Sequence, residues 1–381
     1  MSSIPTTQKA VQIEKTGGVE VLHYRDLPVP TPAEGEVLIK NNFIGINYID
    51  TYFRSGLYPA PKPEILGREA EGTIVSLASS GEFHNLKVGD RVVFLHVNSY
   101  AEYTSVPASK VQVVPSSIGP GIAAAALLQG LTAITLIREA HYVEKGDWVL
   151  VHAAAGGVGL WLVQLLRTVG AKVIGTSSTK EKLALAHENG ADWTVNYKQE
   201  DIVARVKEIT GGEGVRVVFD SIGKDQFEND LEVVARKGTV VSFGNASGPV
   251  PPLTISRLSA KNARLLRPTL FNYIATREEF DKYTKELRGN LNFIPLRDSD
   301  EGLNHISGSD NEQEQSPIMS YDLNIAQKET IHMDSGMSWI RLGTVTPAYE
   351  FAQSRSLSLA VERERRNEAM IIKSESLSPS S

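Results

Sequence analysis

Over the first 120 or so residues, apolar and polar positions alternate in short runs separated by Gly and Pro. Examples are the runs 36–40, 72–76 and 91–94. A period of two over four to eight residues predicts half-buried β-strands. Residues 1–125 are therefore predicted to form a compact, mostly β domain.

From residue 123 the pattern changes to helices that alternate with short apolar runs. The Ala- and Leu-rich segment 123–137 is predicted to be a helix that leads into this region. Strands are predicted at 148–152, 171–176, 194–196, 215–220 and 239–243, and helices at 158–169, 179–189, 201–209 and 227–236. Strand–helix alternation at this spacing predicts a parallel sheet covered on both faces, so residues 126–275 are predicted to be a doubly wound α/β domain.

Residues 289–381 show no such alternation. They carry 8 Lys and Arg against 14 Asp and Glu, whereas the rest of the chain is balanced in charge. The polar clusters 312–315 and 374–381 are typical of solvated, disordered chain. This segment is predicted to be a divergent, disordered tail, in which only 357–370 favours a polar helix.

The turn at 154–159, Ala-Ala-Gly-Gly-Val-Gly, joins an apolar strand to an apolar helix. It matches the six-residue dinucleotide turn, with Ala154 in place of the first glycine. Gly156 would let backbone N–H groups approach a pyrophosphate, and Gly159 would let helix and strand pack closely. The helix N-terminus adds partial positive charge. A dinucleotide site is favoured over a purely structural glycine turn.

The next strand ends in Thr-Ser-Ser at 176–178, followed by Lys180 and Lys182. A site that prefers NAD generally has an acidic residue here, about 20 residues beyond the glycines. Hydroxyl and ammonium groups suit a 2′-phosphate instead, which favours NADPH over NADH. The alternative is that Ser178 or Thr179 only caps a helix and the lysines are surface charges; a cap at Thr179 is expected in either case.

Composition narrows the class of protein. With 381 residues, 41% hydrophobic and 22% charged, the chain can build two globular cores. A net charge of −6 gives no global attraction to nucleic acid or anionic membrane, and the absence of cysteine excludes disulfides and thiolate metal sites. The N-terminus lacks a signal pattern and the longest apolar run, 122–128, is too short to span a bilayer. A cytoplasmic enzyme is expected.

Further segments carry a resemblance: GINYIDTYFRSGLYP at 45–59, SYAEY at 99–103, GLTA at 130–133 and VSFGNASG at 241–248. Together with the glycine turn they resemble the NADPH:quinone oxidoreductase (zeta-crystallin-like) family of the medium-chain dehydrogenase/reductase superfamily. The resemblance spans about residues 8 to 288. It implies a GroES-like catalytic domain, a Rossmann domain, an active site between them, and a homodimer joined through the Rossmann domains.

The resemblance also implies which residues form the site. Asn47 and Tyr52 would be the catalytic residues, positioning nicotinamide and substrate. The residues implied to bind NADPH are Asn47, Tyr58 and Thr132 at the nicotinamide, Gly156, Gly157 and Val158 at the pyrophosphate, Ser178, Lys182 and Tyr197 at the 2′-phosphate, and Phe243 and Asn245 beside the cofactor.

No metal site is predicted. Zinc-dependent members of the superfamily use a Gly-His-Glu element, which reads Gly67-Arg68-Glu69 here, and the eight histidines lack paired ligand spacing. A quinone or conjugated enone can accept hydride with hydrogen-bond assistance alone, so metal-free hydride transfer from NADPH to such an acceptor is predicted. Glu69 and Glu71 are expected to be structural. Asp220 is expected to cap the next helix or to touch the adenosine.

A second hypothesis comes from the basic residues Arg257, Lys261, Arg264 and Arg267. Some members of the family also bind RNA, so the chain could be an AU-rich RNA-binding protein on the same fold. Basic residues that flank an edge strand more often solubilise that strand or pair with acids.

A third hypothesis is an inactive variant, because the resemblance stops after Arg288. Residues 276–288 would only begin the family's return to the catalytic domain. Residues 289–381 would be a genuine extension or the product of a frameshift or unspliced intron. Either way, the catalytic domain is expected to have an unpaired sheet edge and exposed apolar surface.

Overall fold

In the computed structural model, the described residues are 3–291, 328–332, 338–342, 359–362 and 371–374. The N-terminal part is mostly β, as predicted. Its strands are β1 (Thr7–Ile13), β2 (His23–Pro28), β3 (Glu36–Gly45), β4 (Glu64–Ile65), β5 (Glu69–Leu77), β6 (Arg91–Leu95), β7 (Tyr103–Pro107) and β8 (Val111–Val113). One short helix, α1 (Tyr48–Ser55), follows β3.

Two sheets enclose the core of this β part. β3, β5, β6 and β8 are neighbours in antiparallel order, and β7 pairs with the first half of β3. β1 pairs with β2 and β4 in a second, smaller sheet. Alternate apolar side chains such as Val37, Ile39 and Phe94 are fully buried between the sheets, which explains the period of two in the sequence.

The second domain is a six-stranded sheet in which every described pairing is parallel. Its strands are β9 (Trp148–Val151), β10 (Lys172–Ser177), β11 (Trp193–Asn196), β12 (Val215–Asp220), β13 (Val234–Ser242) and β14 (Arg264–Leu266). Its connecting helices are α3 (Gly157–Val169), α4 (Lys180–Glu188), α5 (Ile202–Ile209) and α6 (Phe227–Val233). The spatial order β11-β10-β9-β12-β13-β14 is that of a Rossmann domain. The predicted fold class is confirmed.

The strand order reverses between β9 and β12, and doubly wound sheets bind ligands outside the carboxyl ends of their strands at this point. One predicted boundary was wrong: the helix predicted at 227–236 ends at Val233. Val234 instead pairs with Val215 of β12, because β13 begins there and extends the sheet.

Between the two sheets lies α2 (Ile122–Thr135), which continues as a π-helical turn to Ala140. By length and composition alone the segment Ile122–Ala140 could cross a membrane, and the run 122–128 identified in the sequence is only its first part. However, 78% of its apolar window is buried inside the protein, as expected for a core helix. The predicted domain boundary at residues 125/126 falls inside this helix and stays a prediction.

After β14 the chain forms α7 (Leu270–Tyr273) and α8 (Arg277–Leu291), and α8 packs on α2. The start of α8 also contacts the β domain, because Arg277 Nη1 donates to the carbonyls of Ala108 and Val111, both at 2.9 Å. Residues 276–288 were predicted to begin the return of the chain to the catalytic domain, and α8 starts with this contact to the β domain.

Four described strands follow: β15 (Lys328–His332), β16 (Ser338–Leu342), β17 (Leu359–Glu362) and β18 (Ile371–Ser374). β16 pairs in parallel with Phe43, Ile44 and Gly45 of β3. The expected unpaired edge was therefore wrong at these residues, because exposed strand edges offer N–H and C=O groups to any extended segment. The polar helix predicted at 357–370 was wrong over β17, because pairing of this segment with β18 overrides its local helix propensity. The rest of that prediction, and of the predicted disordered tail, lies outside the described residues.

Candidate active site

A cavity of about 610 Å³ lies between the β domain and the carboxyl edge of the parallel sheet. Residues that follow each of the six strands β9–β14 line one side, and α1 and α2 line the other. Of the site residues implied by the resemblance, the structure brings these to the cavity wall: Asn47, Tyr52, Tyr58, Thr132, Gly156, Gly157, Val158, Ser178, Lys182, Tyr197 and Phe243. Within the described wall, the charged residues are two cations, Lys182 and Arg267, and no carboxylate.

The glycine turn forms the floor of the cavity where the sheet reverses. Ala153 has a positive φ of 49°, which turns the chain from β9 towards α3. A Cβ atom on Gly159 would lie 2.2 Å from the Ala153 carbonyl oxygen, so only glycine allows this close packing. The predicted reason for Gly159 thus agrees with the geometry. The thirteen-residue helix α3 starts at Gly157 and directs the N–H groups of its first turn at the cavity.

Beyond the carboxyl ends of β10 and β11, Ser178, Lys182 and Tyr197 lie on the cavity wall. Thr179 is the N-cap of α4, and its hydroxyl accepts a hydrogen bond of 3.3 Å from the Lys182 backbone N–H. The predicted capping role of Thr179 is confirmed. Capping fixes the first turn of α4, which carries Lys182, so the cap also helps to place the ammonium group beside the cavity.

The catalytic-domain side is centred on Asn47, which is buried and precedes α1. Its amide Nδ2 donates to Glu69 Oε1 at 2.6 Å, and its Oδ1 accepts from Gln129 Nε2 at 3.3 Å. Glu69 Oε2 accepts from the Leu128 backbone N–H of α2 at 2.7 Å. Glu69 and Asn47 thus tie β5, α1 and α2 together at the cavity.

The start of α1 is fixed by a second buried carboxyl group. Asp50 accepts hydrogen bonds from the Asn47 backbone N–H at 2.9 Å and from the Tyr100 hydroxyl at 2.7 Å. Burial raises the pKa of Asp50 to about 6 despite these hydrogen bonds. The expected structural role of Glu71 agrees with its contact, since its carboxylate accepts from Arg91 Nε at 2.7 Å.

Two tyrosines join the domains across the cavity. The Tyr52 hydroxyl accepts a hydrogen bond from the Asn245 backbone N–H at 3.0 Å, and Arg267 Nη2 donates to the Tyr58 hydroxyl at 2.7 Å. The rings of Tyr52 and Tyr58 meet edge to face with centroids 5.0 Å apart. Burial holds the pKa of the Tyr52 phenol above its ordinary value, so this group stays protonated.

Asn245 differs from the other predicted site residues because it is not among the residues that line the cavity. In the amide orientation that satisfies both neighbours, its oxygen accepts from Arg267 Nη2 and its nitrogen donates to the Gly244 carbonyl, each at 2.9 Å. Asn245 therefore supports Arg267 and Tyr52 from behind the wall.

Asp220 is fully buried at the end of β12 and is not a wall residue. It accepts hydrogen bonds from the N–H groups of Ile222 (2.6 Å) and Gly223 (3.1 Å). The expected cap of the next helix was wrong, because Asp220 caps the turn after its own strand rather than α6. Its full burial gives the alternative, a contact with adenosine, no support. Burial and the neighbouring Asp230 carboxylate raise its pKa. Asp230 also contacts His152 Nε2 at 2.8 Å, so this buried histidine has its partners within the protein.

Where the zinc-dependent relatives have histidine, the side chain of Arg68 is buried. Its guanidinium donates to Glu64 at 2.9 Å and lies 3.8 Å from the centre of the Phe53 ring. A fixed positive charge here opposes binding of a metal cation. Throughout the described part of the chain, no group of three or more His, Cys, Asp or Glu residues could hold a metal ion.

The basic residues behind the RNA hypothesis mostly have partners within the protein. Arg257 Nη1 donates to Glu228 at 2.9 Å, and Lys261 Nζ donates to the carbonyl oxygens of Glu232 (2.6 Å) and Val234 (2.9 Å). Arg267 faces the cavity instead of forming part of an outer basic surface.

Among the wall residues that the sequence reasoning missed, Arg267 and Gln129 make polar contacts to other predicted site residues. Arg267 immediately follows β14, so its position after the sixth strand could have placed it at the carboxyl edge of the sheet. Gln129 lies within α2 on no recognisable motif. Its proximity to Gly157, whose Cβ would lie 2.3 Å from Gln129 Oε1, arises only from packing of α2 on α3.

Comparisons with known proteins agree with this fold. Residues 33–129 match the alcohol dehydrogenase GroES-like domain family, and residues 157–288 match the zinc-binding dehydrogenase family. The chain is 46% identical over 278 residues to a probable quinone oxidoreductase of Schizosaccharomyces pombe. The aligned region covers 73% of this chain and 84% of that protein. Quinone oxidoreductase 1 of Escherichia coli is 44% identical over 281 residues, covering 73% and 85%.

Solved structures give the same result. The crystal structure of Escherichia coli quinone oxidoreductase complexed with NADPH has a TM-score of 0.71 at 42% identity, covering 74% of this chain and 87% of that one. A quinone oxidoreductase of Pseudomonas syringae has a TM-score of 0.73 at 39% identity, covering 75% and 88%. The predicted resemblance is confirmed: this chain is an oxidoreductase that belongs to the quinone oxidoreductase family of the medium-chain dehydrogenase/reductase superfamily.

Proposed function

We propose that this protein transfers hydride from NADPH to a quinone or a conjugated enone without a metal ion. The observation that carries the proposal is the charge of the cavity wall. A helix N-terminus lies at its floor, Lys182 and the hydroxyls of Ser178 and Tyr197 lie at one end, and the described wall contains no carboxylate. This arrangement suits a dinucleotide with a 2′-phosphate, and the related Escherichia coli structure is a complex with NADPH.

In the proposed complex, residues 156–158 hold the pyrophosphate, and Ser178, Lys182 and Tyr197 hold the 2′-phosphate. Thr132 and Phe243 contact the nicotinamide half of the cofactor. Arg267 is a second cation on the wall, in addition to Lys182. When bound, NADPH supplies the hydride.

The protein supplies orientation and hydrogen-bond donors to the acceptor. Because the Tyr52 hydroxyl oxygen accepts from the Asn245 N–H, its own proton can be directed at a carbonyl oxygen in the cavity. Its raised pKa makes Tyr52 a donor that stays protonated, so water is the proposed source of the proton that completes the reduction. Asn47 positions the ring and the acceptor.

The purified full-length protein should oxidise NADPH in the presence of a quinone or an enone. The reaction is measured as the loss of the absorbance of NADPH, compared with a sample that contains no acceptor. No turnover across a panel of both acceptor classes would reject the proposal. The ratio of kcat/KM between the two classes would identify the preferred acceptor.

Lys182→Ala should raise the KM for NADPH roughly tenfold and leave the KM for NADH nearly unchanged, since only NADPH carries the 2′-phosphate. Lys180→Ala is the matched control, because Lys180 is exposed in the same helix and is not a wall residue. An equal loss with both coenzymes would instead assign Lys182 a structural role.

The RNA-binding alternative has less support, because Arg257 and Lys261 are engaged within the protein. Filter binding to AU-rich RNA with and without NADPH distinguishes it from the reductase.

A further inference from the structure

Glu69 is a buried carboxyl group beside the cavity for which the proposed hydride transfer gives no role. Its side chain is 1% exposed and both of its oxygens accept hydrogen bonds, one from Asn47 Nδ2 and one from the Leu128 backbone N–H. A backbone N–H can only donate, so the oxygen that faces Leu128 must remain an acceptor. The oxygen that faces Asn47 is the one that can change.

An ionised Glu69 accepts from Asn47, and this directs the Asn47 NH2 group away from Gln129 and its oxygen towards Gln129. A protonated Glu69 would present an O–H group at the same point. The favourable arrangement is then reversed: Asn47 turns over, its oxygen accepts from Glu69, and its NH2 group faces Gln129 and the cavity. The Asp50 backbone N–H, which donates to the Asn47 side chain in the capping box of α1, keeps the Asn47 backbone carbonyl oxygen as its acceptor at 3.0 Å. The atom of Gln129 that now faces Asn47 is the donor Nε2, so the Gln129 amide must turn over as well. Its Oε1, which is buried and has no hydrogen-bond partner among the described residues, then accepts from the Asn47 NH2 group.

We propose that Glu69 is a positioning residue whose protonation state determines whether the Asn47 side chain presents an acceptor or a donor to the active-site cavity. The proposal rests on the proposed function for the consequence in catalysis. The orientation of the amide itself does not depend on that function.

The surroundings of Glu69 favour a change of protonation near neutral to mildly alkaline pH. Burial raises the pKa of Glu69 to about 8, while the hydrogen bonds from Asn47 and Leu128 act in the opposite direction. Asp50 on α1 is the charged group that acts on it, and it raises the pKa further. The neighbouring strands place Gly45 and Leu95 opposite Glu69, so they add no charge.

Above about pH 8, where Glu69 is ionised, the Asn47 oxygen should therefore face the cavity and can accept from the carboxamide NH2 of a nicotinamide. Below this pH the Asn47 NH2 group faces the cavity instead. The dissociation constant for NADPH should fall as the pH is raised from 7 to 9.5. The 2′-phosphate does not contribute to this change, since its second ionisation lies near pH 6.

Glu69→Gln separates this role from simple packing. The Gln oxygen must face the Leu128 N–H, so its NH2 group faces Asn47 and holds that residue in the donor-inward orientation at every pH. Glu71→Gln is the matched control: it is the same substitution on the same buried face of β5, but the Glu71 carboxylate accepts from Arg91 and not from Asn47.

NADPH binding is measured by nicotinamide fluorescence between pH 7 and 9.5 for the full-length wild type and both variants. Wild type and Glu71→Gln should show a transition near pH 8, and Glu69→Gln should lack it and bind roughly tenfold more weakly at pH 9.5. A transition that persists in Glu69→Gln, or a wild-type constant that does not change with pH, would overturn the proposal.

A second measurement covers the case in which Glu69→Gln does not fold. The Asn47 side-chain amide resonance of wild-type protein labelled with 15N-asparagine, assigned by its loss in Asn47→Ala, should titrate with the same midpoint; an invariant resonance would overturn the proposal. If the wild type reduces no quinone or enone, the proposed function fails, but the resonance and the NADPH constants still decide the role of Glu69.

Discussion

At the scale of single residues, the two domains meet at the cavity through a small number of directed hydrogen bonds. Arg267 contributes most, because Nη1 donates to the carbonyls of Ser242 (2.8 Å) and Gly244 (3.1 Å) while Nη2 reaches Tyr58 of the β domain. A planar guanidinium with several donors can hold two loops and a tyrosine at once, which a lysine could not do. Its position depends on contacts from both domains.

Tyr58→Phe should therefore raise the KM for NADPH about fivefold with little change in kcat, since it removes the acceptor that orients Arg267. Steady-state kinetics at varied NADPH measures both parameters. Tyr142→Phe is the control, as Tyr142 is 65% exposed. A fall in kcat at constant KM would place Tyr58 in the chemical step instead.

Family motifs could predict most of these residues, because the wall residues within 45–59 and 154–159 belong to short segments whose sequence of residue types is recognisable. Arg267 could not be separated from the other basic residues of its run, which are Arg257, Lys261 and Arg264. The four positions look equivalent until β14 fixes which side chain faces the cavity. Gln129 depends on helix packing, and no local pattern encodes such a contact.

At the scale of secondary-structure elements, the glycine turn is the most constrained contact. The Ala153 carbonyl and the first turn of α3 approach so closely that a methyl group at Gly159 has no space. Local patterns predicted this strand–turn–helix unit well, because strand, turn and helix each have their own signal. They failed at residues 234–236, where pairing of Val234 with Val215 decides between helix and strand.

Gly159→Ala should lower the free energy of unfolding by about 1–3 kcal/mol and weaken NADPH binding, since α3 must move away from β9. Urea denaturation followed by circular dichroism measures the first effect. Gly289→Ala is the control: Gly289 lies in α8, and among the described residues no atom outside its own helix backbone lies within 4 Å of the added methyl group. There we expect no loss and a gain of up to about 1 kcal/mol from helix propensity. Equal effects at both positions would contradict the packing argument.

At the scale of the whole molecule, the six-stranded sheet ends in β14, whose outer edge is short and carries the partly exposed Leu265. An edge strand of this kind can pair with another copy of itself. This is consistent with the homodimer that the resemblance implies, although the assembly stays a prediction.

Leu265→Lys should shift the protein from twice the mass of one chain to the monomer mass in sedimentation equilibrium, because a buried charge at the dimer edge is unfavourable. Val88→Lys is the control, since Val88 is similarly exposed but lies in the β domain. A wild-type monomer, or a dimer unaffected by Leu265→Lys, would argue against this edge.

The helix α2 has a consequence for recombining this protein with its relatives. Two consecutive residues of α2 serve both domains: the Leu128 N–H holds Glu69 beside Asn47, and Gln129 lies against Gly157 of the glycine turn. A chimera joined at residues 125/126 would take Leu128 and Gln129 from one parent. It would take Glu69 and Asn47, which these residues contact, from the other. Because Gln129 packs where a Cβ on residue 157 would collide, parents that differ at 129 should be exchanged with α2 and the glycine turn together. The segment to exchange between relatives is thus α2 together with Glu69 of β5 and the glycine turn, and not either domain alone.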